Sequence, residues 1–278
     1  MANGLFHIWN FPLFAQKVVW RWRMVGKKAE VTPMKKALIL FSALWLFGCA
    51  STSLVPQHLY LAGDSTLAEK LPEKRPETGW GERLQQAFKP QLQVVNLAKN
   101  GRSTRTFIEE GRWQALVDAL VPGDWVFIQF GHNDQSKEKV DRYTPPDAFR
   151  QNLERFVADV RAKGAKPVLL TPVMRRRFDD KGQFYDVHGV YPAITRGVAM
   201  DKQVPLLDMH RRSEAVLVSL GAEPSRALFL QLAPGQNPNY PQGVEDNTHF
   251  SPQGAQRMSD QAVAAIRQQL PALAAYLR

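Results

Sequence analysis

The chain has 278 residues, 44% of them hydrophobic, and a formal net charge of +10. Seven lysines and arginines against Glu30 put +6 of that charge in residues 1–48, and the remaining +4 is spread through 49–278 without a long basic block. The length allows one large domain or two small ones with a real core, and the uneven charge argues against nucleic-acid binding as the organising feature.

The basic leader has its own pattern. Met34-Lys35-Lys36 is a short positive segment, and the apolar stretch Ala37–Phe47 that follows is too short to span a bilayer as a helix. It ends in Leu46-Phe47-Gly48-Cys49, which resembles a bacterial lipoprotein signal with Cys49 as the lipidated residue. Cys49 is the only cysteine, so the mature part is expected to carry no disulfide. Residues 1–33 are read as an extension upstream of a true start at Met34, 34–48 as the signal peptide, and 49–56 as a short linker. The domain proper is expected over 57–278, anchored at the periplasmic side of the outer membrane or free in the periplasm.

From there, short apolar runs alternate with helical patterns. The runs are Leu59–Ala62, Gln93–Leu97, Trp125–Phe130, Pro167–Thr171 and Pro205–Asp208. Each is nearly continuous in its hydrophobicity, as parallel strands covered on both faces are. Helices are predicted over Gly81–Phe88, Phe107–Leu120, Pro146–Lys163, Val190–Asp201 and Ser213–Leu220, and a last one from Ser251, with Ser251 as cap and Pro252 in the first turn. The alternation predicts a three-layer α/β/α sandwich around a five-stranded parallel sheet in the flavodoxin-like order 2-1-3-4-5. Leu232–Thr248, rich in Pro, Gly and Asn, is predicted to be a long loop.

Polar clusters follow the first three strands and precede the last helix. They are Gly63-Asp64-Ser65-Thr66, Asn100-Gly101-Arg102-Ser103, Gly131-His132-Asn133-Asp134 and Asp246-Asn247-Thr248-His249. Open parallel sheets bind ligands at the carboxyl ends of their strands, so the clusters are expected to share one crevice. A serine hydroxyl is a poor nucleophile until a base takes its proton. His249 is the candidate base, and Asp246 would orient its ring and stabilise the imidazolium.

The four blocks resemble the SGNH (GDSL-type) hydrolase superfamily. The fuller strings Gly79-Trp80-Gly81, Asn100–Phe107, Gly131–Asp134 and Asp246–Ser251 are most similar to rhamnogalacturonan acetylesterases. The resemblance implies a carbohydrate O-acetylesterase acting on an acetylated pectin-type polysaccharide, without a cofactor. It also implies an oxyanion hole made by the backbone N–H groups of Ser65 and Gly101 and the side-chain amide of Asn133. Other acyl hydrolases of the superfamily remain open (a lipase, thioesterase, arylesterase or xylan acetylesterase), as does a glycan-binding envelope lipoprotein without activity.

Each residue has a plainer reading as well. Ser65 could cap a helix, Asn133 and Asp134 could form a turn, and His249 could cap the last helix. Asp208-Met209-His210 is a rival acid–base pair, expected at the end of the fifth strand. Arg102, Arg105 and Arg175, with Arg176 and Arg177, could form a cationic rim for a carboxylate-bearing substrate, or be solvated or ion-paired. Trp80 could be a sugar platform or core. Asp246 and His249 lack a third or fourth partner at metal-ligand spacing, and no metal is expected.

Overall fold

The computed structural model describes residues 57–278. The expected extension 1–33, the signal 34–48, Cys49 and the linker 49–56 all lie outside the described residues.

Five parallel strands form the sheet: β1 (Gln57–Gly63), β2 (Leu92–Asn96), β3 (Trp125–Gln129), β4 (Lys166–Leu170) and β5 (Leu206–Leu207). Their order is β2-β1-β3-β4-β5, so β1 sits between β2 and β3 with Leu59 beside both Val94 and Trp125. This is the predicted order, and it puts the ends of the first three strands side by side. The apolar runs are continuous because alternate residues serve opposite layers. Leu59 and Leu61 join one core with Phe127, Val168 and Leu170, while Tyr60 and Ala62 join the other with Val126, Ile128 and Leu169.

The helices divide accordingly. The layer behind Leu59 and Leu61 holds α1 (Gly81–Leu84), α6 (Met209–Leu220), α7 (Pro252–Gln269) and α8 (Pro271–Ala274). The opposite layer holds α2 (Thr104–Glu109), α3 (Arg112–Ala119), α4 (Pro146–Ala162) and α5 (Tyr191–Asp201). There Trp113 of α3 stacks on Phe156 of α4, with ring centroids 3.9 Å apart.

Three predictions from sequence need correction. The helix expected over Phe107–Leu120 is two helices, broken where Gly111 takes φ 71°. Helix α6 begins at Met209, four residues earlier than expected, because the Asp208 carboxylate caps it by accepting the Arg211 N–H. The loop expected over Leu232–Thr248 contains much of a hairpin, β6 (Phe229–Leu232) antiparallel to β7 (Val244–Phe250). Both Asp246 and His249 therefore stand on a strand.

Candidate active site

Ser65 lies two residues past the end of β1, in a turn closed by N–H bonds from Leu67 and Ala68 to the carbonyl of Asp64. His249 reaches it from β7, where the ladder is interrupted. Phe229 pairs with Phe250 but Leu230 pairs with Asp246, so Asn247, Thr248 and His249 bulge out with no partner on β6. Residues three apart on a regular strand face opposite ways; the bulge turns the Asp246 and His249 side chains toward each other. The Asp246 Oδ1 fixes the bulge by accepting the N–H groups of Thr248 (2.6 Å) and His249 (2.9 Å). Its Oδ2 lies 2.6 Å from His249 Nδ1, and His249 Nε2 lies 2.8 Å from the Ser65 hydroxyl. Burial raises the Asp246 carboxyl, but the hydrogen bonds and charge of His249 outweigh it and hold the group at about 2. With Asp246 ionised, Nδ1 carries the hydrogen and Nε2 presents a lone pair to the serine.

These three side chains open on a cavity of about 900 Å³ whose wall includes Gly101 and Asn133. Gly101 has φ 78°, and a side chain there would meet the Arg142 guanidinium at 3.1 Å. The Asn133 amide donates one N–H to the Arg102 carbonyl at 2.9 Å, and its second N–H is left over. Among the described residues, neither the Ser65 nor the Gly101 N–H has a protein acceptor. Asp134, next along the turn, ties this loop to the start of α2. Its carboxylate accepts the Gly131 N–H at 3.1 Å and both the N–H and hydroxyl of Thr104 at 2.9 and 2.6 Å.

Sequence reasoning missed the pair that braces this wall, Lys70 and the cavity-lining Glu77. Lys70 is buried and reaches the Ser65 carbonyl, the Asn100 side-chain oxygen (2.8 Å) and the Glu77 carboxylate (2.8 Å). It thereby pins the serine turn to the loop carrying Gly101. Burial lowers the Lys70 ammonium and Glu77 opposes that by pairing with it. The signal was faint: an ordinary surface-type lysine five residues after Ser65, with nothing local to mark it as buried.

The substrate-binding candidates scatter. Trp80 is fully buried, which corrects its reading as a sugar platform. Its indole N–H donates to Gln129 of β3 at 3.1 Å, Gln129 donates to the Thr66 hydroxyl, and Thr66 donates to Asp64. The tryptophan props the serine turn from below. A Cβ on the preceding Gly79 would fall 2.1 Å from the Ala68 carbonyl, so that turn and the start of α1 are in backbone contact. Arg102 lines the cavity but is paired with Glu110 at 2.9 Å. Arg105 is outside the cavity wall, bonded to Glu109 and to the carbonyls of Val140 and Tyr143. Arg175 lines the cavity and bridges the Thr248 hydroxyl (2.9 Å) and the His132 carbonyl (3.1 Å). Arg176 turns away, to Asn247 and the Ala222 carbonyl.

The rival base is accounted for elsewhere. Asp208 pairs with Arg196 at 2.9 Å, while His210 belongs to α6 and lies 3.1 Å from Asp186. Asp186 also holds His188 Nδ1 at 2.6 Å. Burial works against its ionisation, yet bonds from His188 keep it well below the usual carboxylate range. Asp186, His188 and His210 bring three metal-type donors within 4.8 Å of one another, a grouping invisible from sequence spacing. Its chemistry suits a hydrogen-bonded network better than a cation. His210 Nδ1 faces the Arg196 guanidinium at 3.3 Å, which requires a lone pair there and puts the hydrogen on Nε2 toward Asp186. A ligating histidine needs the reverse. His132, edge-to-face with His188 at 4.9 Å between ring centroids, is kept neutral by burial, with Arg175 adding to the effect.

The GDSL-like Lipase/Acylhydrolase family model matches residues 61–257. The chain is 40% identical to rhamnogalacturonan acetylesterase RhgT of Bacillus subtilis, over 77% of this chain and 90% of that protein. It is 37% identical to the probable rhamnogalacturonan acetylesterase YesY of the same organism, over 76% of this chain and 93% of that protein. The crystal structure of B. subtilis YxiM superposes with a TM-score of 0.65 at 26% identity, covering 76% of this chain and 56% of that one. A family match spanning the serine turn, the Gly101 and Asn133 loops and the bulged strand, joined to relatives aligned over nine-tenths of their length, makes this chain a member of the GDSL-like lipase/acylhydrolase family and a carboxylic ester hydrolase.

Proposed function

We propose that the chain is a carbohydrate O-acetylesterase that removes acetyl groups from a rhamnogalacturonan-like polysaccharide by a Ser65–His249–Asp246 acyl-enzyme route. The observation that carries this reading is His249 set between Ser65 at 2.8 Å and Asp246 at 2.6 Å on the wall of an open cavity. The relatives named for rhamnogalacturonan deacetylation supply the substrate class.

The steps follow from the geometry. Ser65 Oγ attacks the acetyl carbonyl as His249 Nε2 takes its proton, and Asp246 stabilises the resulting imidazolium. The tetrahedral oxyanion is held by the Ser65 and Gly101 N–H groups and the spare N–H of Asn133. His249 returns the proton to the departing sugar oxygen, leaving acetyl on Ser65. Water, deprotonated by His249, then releases acetate. Acetate assays on acetylated pectic fragments, compared with acetylated xylan, test the substrate; a preference for xylan rejects the pectin-type assignment. A fatty-acyl substrate fits poorly, because the cavity wall contains no Leu, Ile, Val, Phe or Trp among the described residues.

Asn133→Ala is expected to lower kcat by about 10²–10³ with little change in KM, since its donor matters most once charge has developed on the oxygen. Steady-state kinetics on an acetyl ester checks this, and a kcat within threefold of wild type removes Asn133 from the oxyanion hole.

The leader motivates a proposal about location as well. Cys49, following the Leu46-Phe47-Gly48 segment, carries the lipid anchor that holds 57–278 at the cell envelope. Cys49→Ala is expected to move the protein from the membrane to the soluble fraction. Unchanged partitioning on fractionation sinks the anchor.

A further inference from the structure

A second cavity of about 620 Å³ adjoins the first, and Lys139 and Arg175 stand in the walls of both. Its lining also contains Lys137 and Arg177, with Glu138 as the one carboxylate. Other arginines near the two cavities are ion-paired: Arg102 with Glu110, Arg105 with Glu109 and Arg196 with Asp208. Among the described residues, Lys137, Lys139, Arg175 and Arg177 make no ion pair. Four unpaired cations beside a single carboxylate make this wall suited to an anionic occupant.

The remaining wall narrows what that occupant is. Val187 and Val190 are 37% and 53% exposed and form an apolar shelf beside the cations. A bare inorganic anion has no use for such a shelf. A sugar ring bearing a carboxylate uses both, its C–H face on the valines and its charge on the lysines and arginines.

We propose that this second cavity is a uronate subsite, taking a carboxylate-bearing sugar of the chain whose acetylated residue lies at Ser65. The polymer passes from one cavity to the next along Lys139 and Arg175. This inference rests on the esterase reading above and adds which residues recognise the acidity of the substrate.

The test separates the two. In a Ser65→Ala background, binding of unacetylated oligogalacturonate and of unacetylated xylooligosaccharide is measured by calorimetry. Oligogalacturonate is expected to bind and the neutral oligomer to bind at least tenfold more weakly. Adding Arg177→Gln with Lys137→Gln is expected to weaken oligogalacturonate by about tenfold, as lost charge-assisted bonds do. Lys163→Gln with Lys166→Gln, two charges removed at the amino end of β4, serves as the control and is expected to bind as the parent does. Equal affinity for the two oligomers, or an affinity unmoved by the Arg177 and Lys137 substitutions, overturns the subsite. In the active background, the Arg177 and Lys137 double variant's kcat/KM on acetylated pectic fragments, divided by its own kcat/KM on 4-nitrophenyl acetate, is expected to fall by a similar factor. Acetate release that persists while binding shows no acidic preference rejects the subsite alone. Acidic preference in a wild-type protein that deacetylates no sugar rejects the esterase assignment and leaves the subsite standing.

Discussion

Ser65→Ala is expected to lower kcat on an acetyl ester by about 10⁶, His249→Ala by a similar factor, and the double variant by no more than either alone. The non-additivity is the informative part. With His249 Nε2 2.8 Å from the hydroxyl, the two side chains make one nucleophile between them. Removing the base leaves an unactivated hydroxyl, and removing the hydroxyl leaves a base with nothing to deprotonate. The residual rate, about 10³-fold over water, belongs to the donors of the Gly101 and Asn133 loops, which neither change touches. Neither substitution should unfold the chain, since both side chains stand on a cavity wall instead of filling a core. Single and double variants compared on 4-nitrophenyl acetate decide the matter. Independent, multiplying losses would mean that His249 is not the base for Ser65, and a His249→Ala variant at wild-type rate would end the assignment.

Much of this arrangement was legible in the chain, for a physical reason. A parallel strand covered on both faces must be apolar at nearly every position, so Leu59–Ala62 and Trp125–Phe130 stand out without any periodicity argument. Once the strands are placed, the positions of Ser65, Gly101 and Asn133 follow from where those strands stop. The hairpin was not legible. Val244–Phe250 reads Val-Glu-Asp-Asn-Thr-His-Phe, with only its ends apolar, and it is held by pairing with β6 and by the Asp246 carboxylate in its own bulge. The three consecutive arginines were read as one rim, yet Arg175 faces the cavity with Ser65, Arg176 turns to Asn247 and Arg177 lines the neighbouring cavity. Adjacent residues on extended backbone point different ways. Lys70 with Glu77, and Asp186 with His188 and His210, are assembled by packing between segments, and no spacing rule announces them.

Asp246→Asn is expected to lower kcat by about 10⁴ while leaving the fold and KM nearly unchanged. Asparagine matches the aspartate in shape, and its amide oxygen can go on accepting the Thr248 and His249 N–H groups that shape the bulge. Its NH₂ would then occupy the Oδ2 position, 2.6 Å from His249 Nδ1. A donor at that place requires a lone pair on Nδ1, which moves the ring hydrogen to Nε2, where it faces the Ser65 hydroxyl. The imidazole is then in the wrong tautomer to take the serine proton, although every heavy atom stays in position. The same substitution removes a pH-dependent term. Asp246 is held at about 2, below its ordinary 3.8, so its ionised form stabilises the native chain above roughly pH 4 and that stabilisation is lost as the pH falls toward 2. The gap in melting temperature between wild type and Asp246→Asn should therefore close over that acid window. A variant within tenfold of the wild-type kcat would show that Asp246 does not hold His249 in its working tautomer, and a gap that widens as the pH falls would show that its ionised form does not stabilise the native chain.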